Sequence, residues 1–447
     1  MTELIFSFDT EDFTSETAAD AIVTEAEILR KHGVRGCFCM VGLLAKQLTD
    51  WGRTDVLNAL KFHEIECHTY GHTLHPMINE YTDIEDFEAA KNEVIRQETK
   101  AVELIKSATG AKKIFAAVPP GNQKSYAAMY AYAEMGIPIY ADTLCDPEDG
   151  GGSYYCNIFH IEYAYCLESS FFTGGEKEIR EILDCLAKRK RAVVYTHPNA
   201  SLFDEWWDIK NYDKENLCEF GKWKECRRRP QEMSDRFYRN LDLLVQLVQN
   251  DERFKIVTYG DVAEKLAKEK PRTVEKKGLP IIREQLKKEL FPVNNPDSYS
   301  LSDIFYACAE MLKGQENHAC GKVYGLLSQP YGAEESFTVT ADEMRKSAET
   351  IRTDYFLPEK ITVGEKVLGT ADWLIAALDT LCGETKVTVN PKPQMPCLDV
   401  LKDVRDCSFK GTWRHSDSFE DKYLSDRLRL QAWTMRFPKN NIKCDNP

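Results

Sequence analysis

Short apolar runs alternate with amphipathic stretches along the chain from residue 3 to about residue 266. The first run, 4–8, is typical of a strand, and the stretch 18–32 has apolar residues at helical spacing. The same pattern predicts further strands at 36–41, 114–117, 137–141, 192–196 and 255–258, and helices at 55–62, 83–109 and 125–135. Strands that alternate with helices indicate an α/β fold with a parallel sheet covered by helices, either a barrel or a doubly wound layer.

Three polar residues follow directly after predicted strands. Asp9, Asp142 and His197 each stand at the end of a strand-like run. Barrels and doubly wound sheets both place functional groups at the carboxyl ends of their strands. We therefore expect the chemistry of this protein to assemble there.

The pattern changes after residue 267. The chain has 447 residues, too many for one hydrophobic core of ordinary size, and 265–277 is rich in Lys, Glu and Pro. This predicts a catalytic domain at 1–267, a linker at 268–280 and a smaller, mainly helical C-terminal domain at 281–447. Helices are expected there at 299–312, 341–351 and 370–381, and a strand at 360–363. For this domain we favour packing or dimerisation, which would make the protein a homo-oligomer.

Charge and cysteine content narrow the class of protein. The formal net charge of −14 argues against nucleic acid or an anionic membrane as a partner, because both need a basic surface. Apolar stretches are broken by charge before the roughly 18 residues of a transmembrane helix, and no signal peptide is recognisable. The 15 cysteines lack Cys-x-x-Cys spacing, which is typical of free thiols in a reducing compartment. A cytoplasmic location is predicted.

Two histidines four residues apart carry the clearest chemical signal. Residues 68–72 read His-Thr-Tyr-Gly-His, and the acids Asp9, Glu11 and Asp12 follow the first strand. Two imidazoles and one carboxylate form a three-ligand set for a divalent metal that leaves a coordination position open, as catalytic sites do. The pair alone is weak evidence, since metalloproteases carry Glu directly after the first histidine. Together with the acids it predicts a metal-dependent hydrolase.

The order of the motifs resembles the polysaccharide deacetylase family, the carbohydrate esterases with nodulation-protein-B homology. These enzymes remove acetyl groups from N-acetylated sugars with a metal held by Asp-His-His. The matching segments are 7–12, 36–42, 63–73, 117–122, 140–143 and 194–198. Six matches in the family's order, spread over residues 4–260, imply its distorted (β/α) barrel and an N-acetylated carbohydrate substrate.

The resemblance also implies roles for single residues. His68 and His72 are expected to bind the metal as neutral imidazoles. Glu11 is our choice for the carboxylate ligand, because a two-residue step along a strand points it the same way as Asp9; Asp12 is the competing ligand. Asp9 is then the general base and His197 the general acid that protonates the leaving amine. Zinc is the first expectation for the metal, with cobalt or nickel as alternatives.

Residues expected to contact substrate are less sharply defined. A backbone N–H beside Pro120 and Gly121 could face the oxyanion. Asp142 falls in the fourth motif, which lacks a clear tryptophan, so a structural carboxylate is the favoured alternative for it. Trp206 lies in a polar insert, 201–230, whose aromatic residues form either a sugar-stacking wall or part of the domain's own packing.

One departure from the family bears on the substrate. The arginine of the third motif, which pairs with the catalytic aspartate, falls at Ala117. The leading hypothesis is a deacetylase of amino sugars in an oligo- or polysaccharide. The alternatives are a metal-dependent amidohydrolase for a small or cyclic amide, and a catalytically impaired carbohydrate-binding protein.

In the C-terminal domain, 337–380 faintly resembles pseudomurein-binding repeats, which bind cell-wall polymers.

Overall fold

The computed structural model describes residues 1–121, 124–142, 149–398, 401–409 and 414–438. The chain forms two compact units. The first contains Met1–Gly152, His160–Lys268 and Ser408–Leu424, and the second contains Ser153–Phe159, Glu269–Cys407 and Ser425–Pro447. The boundary at Lys268 is next to the predicted one. Neither the assignment of 153–159 to the second unit nor that of 408–424 to the first was predicted.

A largely parallel sheet organises the first unit. Its strands are β1 (Thr2–Thr10), β2 (Cys37–Met40), β3 (Glu64–Cys67), β4 (Ala116–Ala117), β5 (Ile139–Ala141), β8 (Tyr163–Cys166), β9 (Arg191–Thr196) and β11 (Phe254–Ile256); β10 (Asn216–Leu217) lies outside it. Within this unit the order is β5-β4-β3-β2-β1-β9-β8. Strand β6 (Ser153–Tyr155) belongs to the second unit, and β7 (Ile158–Ile161) spans the boundary at Phe159. Strand β1 pairs with β9 along one edge and with β2 and β11 along the other. The predicted distorted α/β barrel class is confirmed.

Helices cover this sheet. They are α1 (Ala19–Lys31), α2 (Gly42–Asp50), α3 (Thr54–Leu60), α4 (Ile78–Thr82), α5 (Phe87–Thr109), α6 (Tyr126–Glu134), α7 (Glu168–Thr173), α8 (Glu176–Leu186), α9 (Pro198–Leu202), α10 (Trp207–Tyr212), α11 (Gln231–Gln249) and α12 (Tyr259–Leu266). Strand β1 alternates between the two faces of the sheet, so Phe8 packs outward against Phe38, with ring centroids 4.5 Å apart, while Ser7 and Asp9 point to the other side. Polar groups thereby collect on one face of a buried strand.

Several elements of this unit differ from the sequence predictions, among them two strands and the start of one helix. Strands β3 and β8 were not predicted, because Glu64, Glu66 and the partly buried residues of β8 break the apolar signal. The helix predicted at 83–109 begins only at Phe87, since the Asp86 side chain accepts the backbone N–H of Ala89 and so caps it.

The second unit is built around two buried helices. It contains β12 (Thr273–Glu275), α13 (Leu279–Lys288), α14 (Leu301–Leu312), β13 (Asn317–Ala319), β14 (Phe337–Thr340), α15 (Ala341–Ala348), β15 (Ile361–Val363), β16 (Lys366–Leu368), α16 (Thr370–Leu381), β17 (Lys386–Val389), α17 (Lys402–Arg405) and α18 (Leu424–Leu430), which begins at the boundary of the first unit. Phe305 of α14 and Trp373 of α16 pack with ring centroids 4.7 Å apart. The segment 268–280, expected as a linker, is ordered into β12, which pairs with β13. Across the described residues, no helix is long and apolar enough to cross a membrane.

Candidate active site

Three buried side chains converge at the carboxyl ends of β1 and β3. The ligand-type atoms of Glu11, His68 and His72 all lie within 4.8 Å of one another. Glu11 Oε2 is 2.7 Å from His72 Nε2 and 3.5 Å from His68 Nε2. Each side chain is at most 4% exposed. The structure thus brings together the three residues that the sequence proposed as metal ligands.

The orientation of His68 is set by its other ring nitrogen. Nδ1 donates to the carbonyl oxygen of Val118 at 2.7 Å, which turns Nε2 towards Glu11. Nε2 is buried and makes no hydrogen bond within the described part of the chain. A histidine that ligates a metal commonly donates its second nitrogen to a carbonyl in this way. A divalent metal therefore fits this donor set, because a bound ion would satisfy the buried nitrogen.

The loop between the two histidines has an unusual backbone. Thr69 and His72 both have left-handed conformations, with φ of 67° and 53°. Such conformations cost free energy in residues with a Cβ, and they persist where surrounding contacts impose them. Here the first turn of α2 imposes them: the N–H groups of Gly42 and Leu43 donate to the carbonyls of Thr69 and Tyr70. The loop is thereby held in the shape that points both imidazoles inward.

Asp12, the competing carboxylate, is turned to a different task. Its Oδ1 accepts hydrogen bonds from the backbone N–H and the hydroxyl of Thr14, at 2.9 and 2.7 Å. Burial raises the pKa of Asp12 to about 7, against the opposing effect of these hydrogen bonds. For Glu11, burial also favours the neutral form, but the charges of His72 and His197 outweigh it and hold the pKa well below its usual value. Glu11 is therefore the acid placed to act as a charged ligand.

Trp207 closes the site from the side of the insert. Its indole Nε1 donates to Glu11 Oε1 at 2.9 Å, which leaves Oε2 for the histidines. Its ring lies 5.1 Å from that of His72, and the residue is fully buried. The insert 201–230 thus contributes a hydrogen bond to one of the expected ligands.

Asp9 stands beside this group, between a tyrosine and a histidine. Tyr163 donates its hydroxyl to Asp9 Oδ1 at 2.8 Å. Asp9 Oδ2 lies 3.7 Å from Nε2 of His197. The two expected catalytic residues therefore face one another, while the expected ligands lie just beyond the carboxyl ends of β1 and β3.

His197 is anchored by Glu168, at the start of α7. Oε1 of Glu168 is 2.6 Å from Nδ1 of the imidazole and accepts the backbone N–H of His197 at 3.0 Å. Burial opposes the charged imidazolium, but Glu11, Glu168 and Asp9 raise the pKa of His197 to about 10. The ring is thus held in its protonated form with Nε2 free to face Asp9.

The residues expected to contact substrate are placed less uniformly. Trp206 is half-buried and meets the His197 ring edge-on at 5.0 Å. It also lines a cavity of about 190 Å³ together with Glu168 and Arg229. Pro120 is buried, and Gly121 is an exposed turn residue with φ of 50°.

Asp142 makes contacts of a structural kind. It forms an ion pair with Lys124, at 3.4 Å, and its backbone N–H donates to the carbonyl of Ile161. Of the third and fourth motifs, Asn122 and Thr143 lie outside the described residues. Roles for Pro120, Gly121 and Asp142 in binding substrate stay predictions.

Sequence reasoning missed three residues of this site. Tyr163 begins β8 and Glu168 comes shortly after it; because β8 was not predicted as a strand, nothing marked its carboxyl end as functional. Trp207 was noted only as one of several aromatic residues in the insert. An acid directly after a strand was the signal that could have identified Glu168.

Comparison with known proteins places these observations among solved structures. No protein-family model matches the chain, and no curated protein matches it. It is similar to a polysaccharide deacetylase structure from Mycobacterium smegmatis, with 17% identity, a TM-score of 0.39, and coverage of 61% of this chain and 92% of that one. It is also similar to a family 4 carbohydrate esterase from Streptomyces lividans, in complex with acetate, with 11% identity, a TM-score of 0.33, and coverage of 57% and 91%. A family 4 pseudoenzyme from Bacillus anthracis matches with 14% identity, a TM-score of 0.29, and coverage of 44% and 55%.

Proposed function

We propose that this protein is a metal-dependent hydrolase that removes N-acetyl groups from amino sugars. The observation that carries the proposal is the buried group of Glu11, His68 and His72, with Asp9 and His197 facing one another beside it. One carboxylate and two imidazoles suit zinc, and cobalt or nickel would bind the same ligands. A metal held there would polarise the amide carbonyl and acidify the attacking water.

The two catalytic residues divide the proton transfers of amide hydrolysis. Asp9 takes a proton from water as the water oxygen bonds to the carbonyl carbon. His197 then gives its proton to the nitrogen as the carbon–nitrogen bond breaks, which is needed because an amide anion is a very poor leaving group. Glu168 and Asp9, which are not expected to bind the metal, are among the carboxylates that raise the pKa of His197 and so favour its protonated form.

The surroundings of the acid suit a sugar. Trp206 offers a half-buried aromatic face next to His197, and the cavity of about 190 Å³ adjoins it. Aromatic faces stack on the apolar faces of sugar rings, and the polar groups lining this cavity can pair with hydroxyls. The amine that His197 protonates would therefore belong to a sugar ring that packs against Trp206.

A specific observation favours the second candidate, hydrolysis of a small or cyclic amide. Trp207 is fully buried against Glu11 and His72, so the ligand group is closed on the side of the insert. A narrow approach suits a small substrate better than the interior of a polymer. The loss of the family arginine at Ala117 points the same way.

Metal analysis combined with acetate release from N-acetylated chitotetraose tests the proposal. We expect one zinc per chain and turnover that is lost in both His68→Ala and Asp9→Asn, with metal lost only in His68→Ala. Zinc at full stoichiometry without acetate release would reject the amino-sugar substrate and leave the small-amide alternative. Unchanged turnover in Asp9→Asn would reject Asp9 as the base.

A further inference from the structure

The arginine that holds the catalytic aspartate in the resembled family falls at Ala117, yet Asp9 is not left unsupported. Its Oδ1 accepts the Tyr163 hydroxyl at 2.8 Å. Tyr163 lies on β8, and β9 separates this strand from β1. The Tyr163 side chain therefore reaches across β9 to contact Asp9. A neutral donor thus occupies the carboxylate oxygen that faces away from His197.

Further hydroxyls continue from Tyr163. The Ser7 hydroxyl lies 3.0 Å from the Tyr163 oxygen, and the Tyr259 hydroxyl donates to Ser7 at 3.3 Å. The Ser7 hydroxyl also lies 3.3 Å from Cys39 Sγ, where either atom can donate. Because Tyr163 donates to Asp9 and Tyr259 donates to Ser7, the Ser7 proton is left for Tyr163 or Cys39, and we assign it to the Tyr163 oxygen because a thiol sulfur is the weaker acceptor. The three hydroxyls form a one-way chain of donors that ends on Asp9.

The state of the phenols agrees with this direction. Burial, together with the nearby negative charge of Asp9, raises the pKa of Tyr163 well above its usual value. Burial likewise raises the pKa of Tyr259. Both phenols therefore keep their protons and remain donors. Successive hydrogen bonds that point one way polarise each other, so the last donor binds the carboxylate more firmly than an isolated tyrosine would.

We infer that Tyr163, supported by Ser7 and Tyr259, is the positioning residue that orients Asp9 in place of the arginine. The inference rests on the proposed function, in which Asp9 is the base. An arginine can bind both oxygens of a carboxylate, whereas a tyrosine binds one. With Oδ1 held by Tyr163, Oδ2 is the oxygen that accepts the proton from water, and it is the one that lies 3.7 Å from His197 Nε2.

A graded series of variants tests the chain of hydroxyls. Acetate release from N-acetylated chitotetraose by the zinc-loaded protein is measured for Tyr163→Phe, Ser7→Ala and Tyr259→Phe. We expect kcat to fall about 10- to 100-fold in the first, because a hydrogen bond to a charged group is lost, and by progressively less in the second and third. KM should stay within about twofold throughout, since substrate binding is not altered.

A matched control is Tyr195→Phe. The Tyr195 ring packs 4.4 Å from that of Tyr163, but its hydroxyl is not among the donors to Asp9 in the described part of the chain. We expect its kcat to stay within about twofold of the parent protein. A loss in Tyr195→Phe equal to that in Tyr163→Phe, or a series without the expected order, would overturn the inference.

A structural readout separates this inference from the proposed function. In crystals of zinc-loaded Tyr163→Phe, the Asp9 carboxylate should rotate away from the orientation that it keeps in the parent protein and in Tyr195→Phe. An unchanged carboxylate would reject the positioning role even if the protein is an active deacetylase. If the parent protein releases no acetate, the proposed substrate fails, and the orientation of Asp9 alone decides the inference.

Discussion

Replacing Trp207 by Phe should weaken metal binding without removing a ligand. The change deletes the indole N–H that donates to Glu11 Oε1 at 2.9 Å and keeps an aromatic ring near His72. A hydrogen bond to a buried charged group contributes about 1.5–3 kcal/mol. Partners that orient metal ligands typically contribute 10- to 100-fold in affinity, which is about 1.4–2.7 kcal/mol. The two figures agree, so we expect the zinc Kd to rise about 10- to 100-fold.

Competition with a chromophoric chelator measures this Kd on metal-free protein. Trp223→Phe is the matched control, because its indole belongs to the same insert but donates to the neutral hydroxyl of Tyr212, at 2.6 Å. The control should keep the zinc Kd of the parent protein. Thermal unfolding of both variants checks that the fold survives.

One result would refute the reasoning. If folded Trp207→Phe binds zinc as tightly as the parent protein, the hydrogen bond to Glu11 does not orient a metal ligand. Trp207 would then only fill space between the insert and the sheet. A loss of the same size in Trp223→Phe would mean that the insert acts through general packing.

Further variants probe the carboxylates and a buried histidine. Glu11→Gln should abolish stoichiometric zinc binding in metal analysis, whereas Asp12→Asn should retain it. The reverse pattern would make Asp12, not Glu11, the carboxylate ligand. Glu168→Gln removes a carboxylate that raises the pKa of His197, so the loss of kcat at high pH should begin at lower pH than in the parent protein. Burial lowers the pKa of His63 from 6.5 to about 4, so the folded state disfavours its protonation. The contribution of neutral His63 to the free energy of unfolding is fully present above pH 6.5, and about 3 kcal/mol of it is lost as the pH drops towards 4. Urea unfolding across this range should therefore show a smaller loss of stability in His63→Gln than in the parent protein.

The sequence predicted the part of the site that depends on strand ends and motif spacing. Glu11, His68 and His72 could be grouped from the four-residue spacing of the histidines, the acids after the first predicted strand and the motifs of the resembled family, although β3 itself was not predicted. Asp9 lies at the carboxyl end of β1 and His197 follows β9, and these two strands are neighbours. Adjacent parallel strands with strong apolar patterns are the features that a sequence shows most clearly.

The supporting residues could not be predicted in the same way. Tyr163 reaches Asp9 from a short strand whose pattern is not apolar, and Trp207 reaches Glu11 from an insert without periodicity. Their roles depend on side-chain direction in three dimensions, which residue spacing does not encode. The assignment of 408–424 to the first unit could not be predicted for the same reason. It depends on contacts between residues far apart in the chain, such as those of Asp83 with the backbone N–H groups of Lys422 and Tyr423.

The order of the three acids after β1 explains how one strand end supplies both a ligand and a base. A two-residue step advances the chain by about 6.6 Å and returns to the same face. Glu11 is therefore further along than Asp9, and its longer side chain reaches His72 Nε2 at 2.7 Å. Asp12, one step on, faces the other way and is engaged by Thr14. Because position and side-chain length act together, we expect the shorter side chain of an aspartate at position 11 to end further from His72 than that of Glu11.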